Sequence, residues 1–195
     1  MNKITLDPRQ ISILESASAA FAAYGFRKTS MDDIARGAGM SRPAVYLHYK
    51  NKEAIFRSLV TSYYILSAQE VQVRLEQDLP LVELLEQAFA AQGGTAIETM
   101  MNSPHGMEIL DAGSSVAADI IEEGEARLRQ IYSDWLSGQM ESGRVRMAAE
   151  PAETAAAFCA ALKGVKMTAP DYQTYSRTIA LMARLFGAGL APSQN

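Results

Sequence analysis

Thiols and imidazoles are scarce in this chain, which has one cysteine, Cys159, and two histidines, His48 and His105, among 195 residues. A lone cysteine excludes an internal disulfide framework, and so few nitrogen and sulfur ligands argue against zinc or redox chemistry. The expectation is no metal and no cofactor. His105, Glu108 and Asp111 share the spacing i, i+3, i+6 after Pro104, but a histidine and acids in a first helical turn commonly serve no ligand. No apolar run approaches the ~18 residues that a membrane helix needs. The opening MNKITLDPRQ has none of the charge and apolar order of a signal peptide. These absences predict a cytoplasmic protein without membrane contact. Catalytic signatures are missing too: there is no P-loop, dinucleotide fingerprint, nucleophile elbow or HExxH motif, and Asp111-Ala112-Gly113-Ser114-Ser115 is no hydrolase elbow. An enzyme is the least favoured class.

Period-two alternation is also absent, so no strand is expected and the fold class is all-α. Apolar residues at Ile11, Leu14, Ala17, Phe21 and Tyr24 give one buried stripe from Pro8 to Tyr24, and Gly25 ends it. Thr29-Ser30 before Asp32 and Asp33 reads as a capped helix start with acids at the positive end of the dipole. That short helix carries Ile34, Ala35 and Ala38 inward and stops at Gly39. Ser41 caps a third helix that tolerates Pro43 in its first turn. Asn51 opens a fourth, from Lys52 to about Glu76, with Ile55, Phe56, Leu59, Val60, Tyr63 and Leu66 periodic.

Further breaks are expected at Gly93-Gly94, Pro104, Gly106, Gly113, Gly143 and Pro151. Between Ser115 and Ser142 the stripe Ala117, Ile121, Leu128, Ile131, Trp135 predicts one long helix. Two more are predicted at Ala152 to Met167 and Asp171 to Leu190, for about nine in all.

Charge is unevenly divided. The net charge is −4, yet residues 1–57 hold nine bases (Lys3, Arg9, Arg27, Lys28, Arg36, Arg42, Lys50, Lys52, Arg57) against five acids, leaving −8 for the rest. A basic head on an acidic body suits a chain whose first part meets a polyanion. In that head, Ile34 to Tyr46 has the build of two helices joined by a tight glycine turn, with small Ala35 and Ala38 allowing close crossing. The second helix buries Val45 and leaves Arg42, Pro43, Ala44, Tyr46 and Leu47 on or near a free face suited to the major groove.

The run FRKTSMDDIARGAGMSRPAVYLHYKNKEAIFRSL, Phe26 to Leu59, resembles the DNA-binding domain of the TetR family of helix-turn-helix regulators. The matching positions are Phe26, Thr29, Ile34-Ala35, Ala38-Gly39, Ser41, Tyr46, His48, Tyr49 and Lys52-Glu53. The resemblance implies an N-terminal three-helix DNA-binding domain, residues 1–56, and a larger helical effector-binding and dimerisation domain, 57–195. It implies a repressor that binds a palindromic operator of double-stranded DNA as a homodimer and is released by a small molecule. Carried over by position, Arg42 reads guanine as a bidentate fork. Ala44 offers an apolar contact, Tyr46 and His48 meet backbone or base edges, and Thr29, Ser41 and Lys52 hold phosphate; Ser30, Pro43, Leu47 and Lys50 complete the candidate DNA-binding set. Asp32 and Asp33 are expected as caps, since their charge repels phosphate.

For the body the resemblance implies pairing of the last two helices with their two-fold mates, and Phe158, Leu162, Val165, Tyr175, Ile179, Met182 and Phe186 are the candidate interface. Ten methionines suit an adaptable pocket for an apolar or amphipathic effector as well as an ordinary core. Phe89, Met100, Met101, Met107, Trp135 and Phe158 are its candidate lining, with Glu98, Glu108 or Asp111 available to a cationic group. A helical dimerisation module that never meets DNA is the alternative.

Overall fold

Asp7, Ser30 and Ser41 each open a helix by accepting backbone N–H groups that the first turn leaves unpaired. The computed structural model describes residues 7–191, which hold nine helices and no strand. Lys3, counted in the basic head, lies outside the described residues. None of the described helices is long and apolar enough to cross a membrane.

The chain divides into two compact units, one running to Tyr64 and including Thr99–Glu122, the other comprising Ile65–Glu98 and the chain from Glu123. The first unit is built on α1 (Pro8–Tyr24), α2 (Met31–Gly37), α3 (Arg42–Tyr46), the start of α4 (Lys52–Leu75) and α6 (Gly106–Val116). Asp7 and Gln10 cap α1 reciprocally, with Asp7 Oδ1 2.9 Å from Gln10 N and Gln10 Oε1 3.1 Å from Asp7 N. Ser30 and Asp33 do the same for α2.

α2 ends at Gly37, two residues before the expected stop, and Gly39 at φ 65° turns the chain towards α3. That left-handed conformation is open to glycine without steric cost. Ile13, Leu14, Phe21, Phe26, Ile34, Val45, Ile55 and Phe56 form the core together with Ala112 of α6. Phe26 sits edge-on to Phe56 at 5.0 Å and 5.3 Å from Phe21.

α6 is therefore part of the first unit, although the sequence division assigns it to the C-terminal part. Its fastening also explains a correction. The single helix expected from Ser115 to Ser142 is broken at Ala117, giving α6 and α7 (Ala118–Glu141). Arg57 Nη1 donates to Val116 O at 2.8 Å, taking the carbonyl that a continuous helix would direct at its own next turn. The same guanidinium grips Asp119 with two bonds of 2.7 and 2.6 Å.

The second unit holds the rest of α4, most of α5 (Leu81–Met101), the body of α7, α8 (Pro151–Thr168) and α9 (Tyr172–Leu190). Gly93-Gly94, expected to break the chain, instead kinks α5: Gly94 adopts φ 57° and ψ −166°, a conformation reserved for glycine. Ser67 Oγ donates to the Gln92 carbonyl beside the kink at 2.9 Å. Gly113, another expected break, lies buried within α6. Leu66, placed by its spacing on the inner stripe of α4, is exposed. Phe89, Tyr132, Phe158 and Phe186 pack as an aromatic core, with Phe89 and Phe158 edge-on at 5.2 Å.

Candidate nucleic-acid interface

α3 stands on the first unit through one residue. Val45 is fully buried, and Ala44 half-buried beside it, while Arg42, Pro43, Tyr46 and Leu47 are exposed. Helical geometry ends at Tyr46; the chain continues as a turn in which the N–H groups of His48 and Tyr49 both donate to Val45 O at 3.0 Å. Leu47, at the C-cap, is 82% exposed. A leucine so exposed contributes little to the core of the first unit. Lys50, Arg27 and Lys28 are exposed around the same unit.

Arg42 is tied in place. Its Nη1 donates to Asp32 Oδ2 at 3.0 Å and its Nη2 to the Tyr46 hydroxyl at 3.3 Å, with the guanidinium carbon 5.5 Å from the Tyr46 ring centre. The Tyr46 hydroxyl and the Asp32 carboxylate hold the guanidinium in its charged form, shifting its pKa upward.

Three residues expected at DNA have other engagements. Thr29 is buried, with its hydroxyl directed at the carbonyls of Gly25 (2.7 Å) and Ala20 (3.2 Å). A hydroxyl held there has no route to a phosphate. Lys52, expected to anchor phosphate, donates from Nζ to the carbonyls of Phe26 (2.8 Å), Arg27 (2.8 Å) and Thr29 (3.1 Å), and lies 4.9 Å from the Phe26 ring centre. An ammonium has three N–H donors, and all three are used. His48 is half-buried with Nδ1 3.7 Å from Asp7 Oδ2, against the start of α1. Ser30 and Ser41 are exposed but serve as helix caps; Ser30 Oγ donates to Asp33 Oδ2 at 2.6 Å, which holds the Asp33 carboxyl below its usual range.

Contacts remote in sequence complete the surroundings. Glu108 Oε1 accepts the Arg27 N–H at 2.7 Å, its other oxygen lies 3.5 Å from His105 Nδ1, and Ser103 Oγ donates to Ala22 O at 2.7 Å. Glu108 is thus committed to the loop before α2, and Asp111 is exposed. Among the described residues no group of three histidine, cysteine or acidic side chains is arranged to hold a metal. No periodicity announces the contacts of Glu108 with Arg27 or of Ser103 with Ala22, because their members are separated by whole helices.

The candidate effector residues are distributed. Phe89 and Phe158 are fully buried in the aromatic core of the second unit. Met100 and Met101 end α5 in the first unit, where Met107 is exposed. Trp135 lines a cleft of about 430 Å³ in the second unit, with Leu75, Glu76, Asp78, Asp134 and Arg144. Its Nε1 is buried without a hydrogen-bond partner among the described residues.

Of the candidate interface residues, Phe158, Leu162, Val165, Tyr175 and Ile179 are buried within the second unit, and Met182 and Phe186 are half-buried. Met167, Leu181 and Leu185, on other faces of α8 and α9, are exposed instead. Burial lifts the Cys159 thiol to about 11, well away from the reactive thiolate range.

Residues 13–59 match the family model described as bacterial regulatory proteins, tetR family. The chain is 22% identical to the uncharacterized HTH-type transcriptional regulator YhgD of Bacillus subtilis (strain 168), over 77% of this chain and 76% of that one. Three further relatives match at 33% to 41% identity, but this chain spans only 25% to 31% of their length. Two solved structures share the fold. A transcriptional regulator from Cytophaga hutchinsonii superposes with a TM-score of 0.79 at 19% identity, covering 95% of this chain and all of that one. SmeT, the repressor of the Stenotrophomonas maltophilia multidrug efflux pump SmeDEF, gives 0.70 at 20% identity, covering 94% and 91%. SmeT is also known in complex with triclosan.

Proposed function

We propose that this chain, whose residues 13–59 match the model of the tetR family of bacterial regulatory proteins, is a cytoplasmic repressor which binds a palindromic operator as a homodimer and leaves it when a small-molecule effector binds. The observation that carries this reading is the free face of α3. A short helix anchored by Val45 alone presents Arg42, Pro43, Tyr46 and Leu47 outward, the arrangement a major-groove reader requires. Phosphate contacts fall to Arg27, Lys28, Lys50 and the exposed first turn of α3, since Thr29 and Lys52 are engaged within the chain and Asp32 and Asp33 put negative charge at the first turn of α2.

The dimer face is assigned to the outward sides of α8 and α9, where Met167, Leu181 and Leu185 stand among small residues such as Ala160, Gly164 and Ala188. Phe158, Leu162, Val165, Tyr175 and Ile179 stiffen these helices from within the protomer. An apolar or amphipathic effector fits the aromatic and methionine content of the second unit, and the triclosan complex of SmeT offers one such compound as a probe. Effector binding releases DNA only by favouring a conformation that binds DNA less well. Half-sites one helical turn apart require recognition helices roughly 34 to 36 Å apart.

Titration of a labelled duplex from the region upstream of the protein's own gene tests the assignment. Binding is expected, with affinity falling steeply as salt is raised. No binding with and without candidate effectors would leave the chain a helical dimerisation module.

A further inference from the structure

Asp32 and Asp33 are adjacent carboxylates at the start of α2, and they have different partners. Asp33 completes the capping box with Ser30 and lies 3.6 Å from Arg36. Asp32 takes no part in the cap. It crosses to α3 and accepts a hydrogen bond from Arg42 Nη1 at 3.0 Å, both side chains being about half exposed (53% and 54%). The Tyr46 hydroxyl takes a bond from the other terminal nitrogen.

A guanidinium has five N–H donors. After Asp32 and Tyr46 have each taken one, three remain, which suffices for the two parallel bonds that guanine O6 and N7 accept.

We propose that Asp32 is a specificity-determining residue of the DNA-reading surface, acting through Arg42: it fixes the direction of the guanidinium fork and offsets its charge, so that the fork favours the uncharged guanine edge over a phosphate. The proposal rests on the DNA-binding reading given above. On a site that places guanine before α3, Arg42 keeps its bond to Asp32 and uses its remaining donors on the base. On any other duplex, Arg42 can serve only as a phosphate contact. Through the same donors a phosphate comes close to the Asp32 carboxylate, whose negative charge opposes it, whereas the uncharged acceptors of guanine are opposed far less. The ion pair thus penalises unspecific association and spares specific association. An exposed pair contributes little to folding, so substitution of Asp32 leaves the fold intact and its effect falls on DNA.

The experiment uses the full chain, its D32N, R42A and D32N/R42A variants, and two duplexes: one selected from a random library by the wild type, containing guanine, and one scrambled. Each is titrated between low and moderate salt. D32N is expected to tighten the scrambled duplex about three- to tenfold and to steepen its log–log salt slope by about 0.9, because Arg42 then releases one more counterion. It is expected to reduce the ratio of selected to scrambled affinity about tenfold, and to leave that ratio unchanged in the R42A background. D32S, which shortens the side chain, should behave like D32N.

An equal change on both duplexes, or the same change in the R42A background, would overturn the proposal by reducing Asp32 to a distant charge. Wild-type protein that selects no duplex would overturn the DNA-binding reading itself. Wild-type binding with an unaltered ratio in D32N would overturn only the role of Asp32.

Discussion

Arg42 and Lys52 are both cations of the basic head, but their surroundings give them opposite tasks. Arg42 is exposed and retains free donors after its contacts to Asp32 and Tyr46. Arg42→Ala is expected to weaken a guanine-bearing operator about 5- to 150-fold and a scrambled duplex far less, as fluorescence anisotropy would report. The Lys52 ammonium is closed in by three carbonyls and an aromatic face. Lys52→Met should therefore lower folding stability by about 1 to 3 kcal/mol in denaturant titrations. Its salt slope on DNA should match the wild type; a fall of about 0.9 would mark Lys52 as a phosphate contact after all.

Among the elements, α6 and α7 are separate because Arg57 intervenes between them. Two bonds from Arg57 hold the Asp119 carboxyl at about 2, against an ordinary 3.8. A depressed carboxyl contributes stability that is complete above its unfolded value and is lost as pH falls through its folded value. Comparing thermal midpoints of the wild type and Asp119→Asn should show the full difference at neutral pH. The gap should narrow between about pH 4 and pH 2 and close below that. A gap that persists at the acid end would mean that Asp119 contributes through something other than its charge. The kink in α5 has a different origin. Gly94 lies in a backbone region closed to other residues, so the kink is set by the residue type itself.

For the whole molecule the proposed palindromic operator makes assembly the critical question, since it would need two copies of α3 held together. Leu185 is 64% exposed and Leu181 48%, at i and i+4 on α9. Single exposed leucines are ordinary, but two on one helical face of α9 form a surface suited to the proposed second copy. Leu181→Glu/Leu185→Glu is expected to sediment as a monomer and to lose affinity for a two-half-site duplex by on the order of a hundredfold or more, because the second half-site contact no longer benefits from high effective concentration. A variant that stays dimeric would move the interface elsewhere.

Local chemistry made much of this protein readable in advance. Caps at Ser30 and Ser41, the terminator at Gly25 and the 3.6-residue periodicity depend on neighbours within one or two turns, so the all-α class, the early helix boundaries and the free face of α3 were legible in the chain alone. The assignment of Thr29 and Lys52 was not, because a hydroxyl or an ammonium looks the same in sequence whether it faces phosphate or a carbonyl; only the folded loop at Gly25–Thr29 turned those carbonyls onto them. The split at Ala117 was hidden because Arg57 and Asp119 are distant in sequence. The apolar stripes of α8 and α9 were read as a candidate interface, yet periodicity cannot tell burial in one's own core from burial against a partner. Tertiary packing made that choice by filling the space around Phe158 with Phe89, Tyr132 and Phe186. Basic character was concentrated in the head by sequence alone, whereas the pairing of Arg42 with Asp32 arose only when α2 and α3 crossed.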